Sequence, residues 1–257
     1  MNEVGLSISF ADRSFISEYA IQELHGLFMD ELPHVERAHP TPGPDILPLQ
    51  GHSPLNVDQP LSRWWFKSAD ERFVLQLQEN FFGFNWRRIA PVADKAEYPG
   101  YEEMKARFDR YFAKIREWQI SHGQSCPRPI AGELLYDDVI EIQQSTEPVK
   151  ISSYLSFWNS VGQNPVAGWN VNWVESFSKH TDKNESVMKF AALLAGFAKD
   201  EDPEQFVPVI RLNFAAMGML KDIAGIDTFF EDAHLYIGAR FKSIVSEQAQ
   251  AAWGRKG

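Results

Sequence analysis

Apolar and polar residues alternate with a period of two from Arg63 to Arg87, and the alternation breaks twice, at "SADE" (68–71) and at Glu79-Asn80. Such a pattern predicts three antiparallel strands, 63–67, 72–78 and 81–87, joined by tight polar turns. Phe73, Leu75 and Leu77 fall on one side of the second strand, with Val74, Gln76 and Gln78 on the other. In the third, Phe82, Phe84 and Trp86 oppose Gly83, Asn85 and Arg87. Upstream, "GLSISF" (5–10) is a short alternating strand. Asp12 or Ser14 then caps a helix in which Phe15, Ile16, Tyr19, Ala20, Leu24, Leu27 and Phe28 recur at helical spacing. Downstream, Pro99 stands near the start of a long helix with a stripe of Tyr101, Met104, Phe108, Tyr111, Phe112, Ile115 and Trp118.

A similar order follows the linker "SHGQSCPRP" (121–129): a strand over 131–142, a short helical segment over 151–158, and strands over 168–177, 186–198 and 206–217. A long helix capped by Asp227 closes it, with Phe230, Ala233, Tyr236, Ile237, Phe241, Ile244 and Val245 on one side. The expected fold is therefore α+β. Two tandem β-α-β-β-β-α pseudo-repeats, 1–122 and 123–257, form an extended antiparallel sheet with long helices on one face, in one fused unit of helix-grip or chaperone-like design. Seven of the chain's fifteen prolines fall between Pro33 and Pro60. Each fixes φ and removes a backbone donor, so this stretch is expected to be a long irregular arm.

Composition narrows the function classes. The chain has 257 residues, a formal net charge of −10, 44% hydrophobic and 23% charged residues. An acidic globular protein of this kind is a poor general binder of nucleic acid or anionic lipid, because its own field opposes the contact. A single cysteine, Cys126, forms no internal disulfide. The first residues lack a signal-peptide pattern, and no apolar run approaches the roughly 20 residues that span a bilayer. A cytoplasmic protein without a membrane partner is expected.

"VLQLQENFFGFNWRR", "YPGYEEMKARF" and the closing "FFEDAHLYIGARFKSIVSEQAQAAWGR" resemble, in order and spacing, a sporadically distributed bacterial family of uncharacterised proteins. The resemblance covers most of the chain. It implies no activity, catalytic residue or cofactor. It does imply the patchy distribution of genes carried with mobile or defence modules.

No residue set dictates a reaction. His34, His39 and His52 lie in the proline-rich arm without carboxylates or cysteines at ligand spacing, so no metal is expected there. His234 has the chemistry of a general base but sits beside an apolar stripe. Asp137 and Asp138 are neighbours on a strand and point to opposite faces, so they form no close dyad; one is expected in water and the other against Arg87 or Arg211. Arg128 lies near Cys126 and would lower a thiol pKa, but no histidine partner is recognisable, which makes the thiol a bystander. Phosphate loops and nucleophile elbows are absent from the sequence. Neither a catalytic residue nor a cofactor is assigned, and the protein leans away from enzymes. What remains is the aromatic and basic set Arg63, Trp64, Trp86, Arg87 and Arg88, a binding candidate in which guanidinium groups meet an anionic group beside aromatic surface. Asn170, Asn172 and Asn213 line an equivalent surface or face water. The expected function is non-catalytic binding or sensing of a protein partner, a second copy of this chain included, within a bacterial defence or toxin-neutralising module. The other function class is a small-ligand protein or enzyme built on a cavity between helix and sheet.

Overall fold

The computed structural model describes residues 1–40, 62–90, 96–142, 153–157, 170–177, 186–199 and 202–252. Its elements run β1 (Glu3–Phe10), α1 (Ile21–Phe28), β2 (His34–Ala38), β3 (Arg63–Lys67), β4 (Phe73–Gln78), β5 (Phe81–Arg87) and α2 (Tyr101–Ser121). They continue with β6 (Pro129–Glu141), β7 (Asn170–Ser176), β8 (Ser186–Lys199), β9 (Asp202–Met219), α3 (Gly225–Ile244) and α4 (Glu247–Ala252). All nine described strands join one antiparallel sheet in the order β2-β3-β4-β5-β1-β6-β9-β8-β7. The fold is α+β, and the expected antiparallel sheet is present.

The register shows how alternation becomes a core. One row of paired residues crosses the whole sheet: Val35, Phe66, Leu75, Phe84, Leu6, Leu134, Ala216, Met188 and Glu175. From Phe66 to Met188 every member is fully buried. The helices pack on this side. Phe28 of α1 meets Phe66, Phe108 of α2 lies 4.9 Å from Phe82, Tyr111 lies 5.1 Å from Phe84, and Phe241 of α3 meets Phe214. Edge-to-face and tilted rings dominate, the arrangement that aromatic quadrupoles favour. All seven stripe residues of α2 are buried, as the helical spacing requires.

Backbone close approach sets the seat of α3. Gly132 on β6 and Gly218 on β9 are directly paired, and the Phe229 ring lies over both. A Cβ at Gly132 would sit 2.6 Å from that ring, so side chains here would push the helix off the sheet.

Three expectations change. The arm begins with a strand: 34–38 pairs with β3 and forms one edge of the sheet, because backbone pairing tolerates the exposed polar sequence "HVERA" there. The remainder of the arm, 41–61, lies outside the described residues. The first helix starts later than its apolar residues suggest. Ser17, not Asp12 or Ser14, accepts from the Tyr19 amide, a three-residue 3-10 turn follows, and Tyr19 is almost wholly exposed. The second long helix, α3, begins at Gly225, which places Asp227 in its first turn rather than at its cap. Of the stretch 151–158, expected to be helical, residues 153–157 are described; Leu155 there makes an isolated bridge to Val245. Among the described residues, no helix is long and apolar enough to cross a membrane.

Candidate binding face on the open side of the sheet

The row one residue over faces away from the helices. It reads Glu36, Trp65, Gln76, Gly83, Ser7, Glu133, Met217, Val187 and Ser176. Many polar side chains on this face are nevertheless buried, among them Ser7, Ser9, Gln76, Gln78 and Asp137. The Ser9 hydroxyl has no hydrogen-bond partner and Gln78 bonds Asn80 in the turn, but other hydrogen bonds on this face run from strand to strand. Arg63 donates from a terminal nitrogen to Gln76 Oε1 (2.9 Å), Gln76 Nε2 donates to Asn85 Oδ1 (2.6 Å), and Asn85 Nδ2 donates to Glu3 Oε1 (2.8 Å). Gly5 makes the last link possible, since a Cβ there would fall 2.7 Å from Asn85 Nδ2.

Beside Glu3, in direct register, stands Asp137. It accepts from Arg211 Nε at 2.7 Å and from Asn2 Nδ2 at 2.8 Å. The Arg211 pairing is one of the two expected from the sequence. Burial pushes the Glu3 carboxyl up, against the hydrogen bond from Asn85, and the neighbouring Asp137 pushes it further. Burial likewise raises Glu133, opposed by Lys189 and a hydrogen bond from Ser7. The expectation that one of the adjacent aspartates is solvated is wrong. Asp138, on the helix-covered side, is also buried, 2.7 Å from the amino group of Met1. Strand alternation separated the two carboxylates but did not expose either: Arg211 and Asn2 bond Asp137 on one face, and the Met1 amino group pairs with Asp138 on the other.

At the other end of the polar chain, three cations surround Trp65. The Arg63, Arg87 and Lys67 charges lie 5.3, 5.6 and 5.8 Å from its ring centroid, within cation–π range. Lys67 pairs with Glu36 and Glu71, and Arg87 pairs with Glu71. Glu71 has φ of 56°, a left-handed conformation unusual for a residue with a long side chain. The turn that holds it is tied by Ser68 Oγ, which donates to Asp70 and accepts from the Phe73 amide.

The structure divides the five residues singled out from the sequence. Arg63 and Arg87 come together on the open face, around Trp65. Trp64 and Trp86 point to the helix side: Trp86 is buried against Tyr98, and Trp64 packs on the core edge with Arg37 over its ring. Arg88 donates to the Ala96 carbonyl at 3.2 Å. Trp65 was the residue missed. Its signal was already in the alternation, since the neighbour of a core tryptophan on a strand must face the other way.

The remaining candidates are settled by packing. His234 stacks on Tyr101 with ring centroids 3.9 Å apart and shares a 2.9 Å hydrogen bond with the Tyr136 hydroxyl, so it is a packed residue joining α2, α3 and β6. Burial raises the Cys126 thiol, with Arg116 opposing, and the lowering expected from Arg128 is not found. Asn170 and Asn172 are exposed on β7 and bond each other, while Asn213 is partly buried opposite Asp137. His34 and His39 are exposed, and His52 lies outside the described residues. Among the described residues no three His, Cys, Asp or Glu side chains gather to hold a metal ion.

The fold and the site together define an α+β protein with a helix-covered sheet and a polar, pre-bonded open face. No family model, curated protein or solved structure matches the chain.

Proposed function

We propose that this is a non-catalytic binding or sensor protein that docks a protein partner on the open face of its sheet. The observation that carries the proposal is the chain of polar contacts Arg63–Gln76–Asn85–Glu3, continued beside it by Asp137–Arg211, on the face opposite the helices. Side chains that served only to meet water would gain little from such mutual bonding. Side chains fixed beforehand lose less freedom when a partner arrives. The net charge of −10 favours a basic partner at long range. A bacterial defence or toxin-neutralising setting follows from the family resemblance.

The strand order supports the two-repeat scaffold. In each half the first strand returns beside the last, β1 by β5 and β6 by β9, and the two first strands pair with each other. A helix-grip or chaperone-like scaffold of halves 1–122 and 123–257 would have this order. The alternative, a small-ligand site between helices and sheet, has less support, because rings such as Phe82, Phe108 and Phe230 fill that layer.

The test is quantitative capture from the native host with the wild-type chain, the Arg63→Ala/Arg87→Ala double variant, and Leu235→Ala on exposed α3 as a control. The expected result is a protein retained by wild type and Leu235→Ala and lost at least tenfold by the double variant. A set of captured proteins indifferent to the open face, or a co-purifying small molecule in their place, overturns the proposal.

A further inference from the structure

We propose that Arg63 and Trp65 form a receptor for a carboxylate group presented by the docked protein; this rests on the open-face docking proposed above. Of the three cations around Trp65, Lys67 and Arg87 have carboxylate partners. Among the described residues Arg63 has none, and its bond is to the neutral amide oxygen of Gln76. Its Nε is closed to water and bonded to nothing, and so is the indole Nε1 of Trp65. The indole N–H groups of Trp64 and Trp118 also lack acceptors, but here two such donors lie on touching side chains, beside a guanidinium with no acid, and each costs free energy until an acceptor reaches it. Burial, with no acid to oppose it, lowers the Arg63 pKa.

A carboxylate answers each deficit. It brings one negative charge to the guanidinium and has two oxygens in the plane of the arginine fork, leaving lone pairs for the indole N–H. A phosphate dianion suits the place less well. Glu36 and Glu71 stand on the neighbouring cations and repel a double charge about twice as strongly as a single one. Entry requires the Arg63 side chain to turn, and a single side-chain hydrogen bond and its contact with the Trp65 ring hold the guanidinium.

The experiment follows the Trp65 indole N–H peak in the ¹⁵N-labelled full chain, assigned by its loss in Trp65→Phe. Sodium acetate and sodium phosphate are the probes, against sodium chloride at equal ionic strength. The expected result is a saturable acetate shift of that peak, absent in Arg63→Gln and reduced in Arg63→Lys, while the other indole peaks track the chloride control. A dispersed spectrum establishes that each variant is folded. No acetate-specific shift, a shift that survives Arg63→Gln in folded protein, or stronger binding of phosphate overturns the carboxylate receptor. Acetate binding without an open-face-dependent partner keeps the receptor and removes the protein-docking proposal. A partner lost on Arg63 replacement without acetate binding does the reverse.

Discussion

Two rows of the sheet, one residue apart, behave as different materials. The row through Phe66, Phe84, Leu6 and Leu134 is dry and pressed against helices. The row through Trp65, Gln76, Ser7 and Glu133 is cross-linked by polar groups. The first is wholly buried, while the second is buried at Gln76 and Ser7 and half-buried at Trp65 and Glu133; the two also differ in how each meets the cost of burial. Apolar surface gains from leaving water, whereas polar surface must find hydrogen bonds. The open face is itself divided. Its first-half portion is polar, and its second-half portion contains a small apolar cluster of Ala131, Val187 and Met217.

Substitutions can break this contrast. The largest expected effect is on the dry row. Phe82→Ala removes a fully buried ring that touches Phe15, Phe108 and Phe112, and should destabilise the protein by about 3–5 kcal/mol in urea unfolding. Stability within error of wild type would mean that the helices are not anchored through this ring. Next comes Gln76→Ala on the polar row, which leaves Arg63 without its acceptor and Asn85 without its donor. A loss of about 1–3 kcal/mol is expected with the secondary structure intact; an unchanged midpoint would show that the polar chain carries no stability.

The smallest effect should come from Glu3→Gln, and its sign reverses intuition about losing a charge. Because the folded carboxyl has a raised pKa, the native state holds its proton more tightly than the unfolded chain does. Stability therefore falls as pH rises from the ordinary glutamate value, about 4.3, through the folded value, and the full penalty is present above it. Glu3→Gln keeps the acceptor for Asn85 and removes that penalty. It should gain less than about 1 kcal/mol at neutral pH, with the gain vanishing below pH 4. A loss at neutral pH would show that the ionised carboxylate is the favoured form.

Much of this molecule was legible as periodicity. The strands at 63–67 and 81–87, the buried stripe of α2, and the opposed faces of Asp137 and Asp138 follow from the geometry of strands and helices alone. Local signals failed where several choices cost nearly the same. Ser14 and Ser17 are both good caps, and tertiary packing of Phe15 and Ile16 outside the helix selected the later one. The strand at 34–38 has no apolar face to announce it, and pairing with β3 supplies what its sequence lacks.

The sequence by itself determined which residues share a face, because side-chain direction on a strand depends only on parity. Beyond the hairpins that tight turns dictate, it could not determine which strands are neighbours, since hydrogen bonds between backbones carry no residue code and register is chosen by the packing of whole faces. Only the tertiary structure placed β1 between β5 and β6, brought Glu3 beside Asp137, and put Arg63, Lys67 and Arg87 around one tryptophan. Those cations come from two strands separated in sequence by a third, and long-range pairing alone could bring them together.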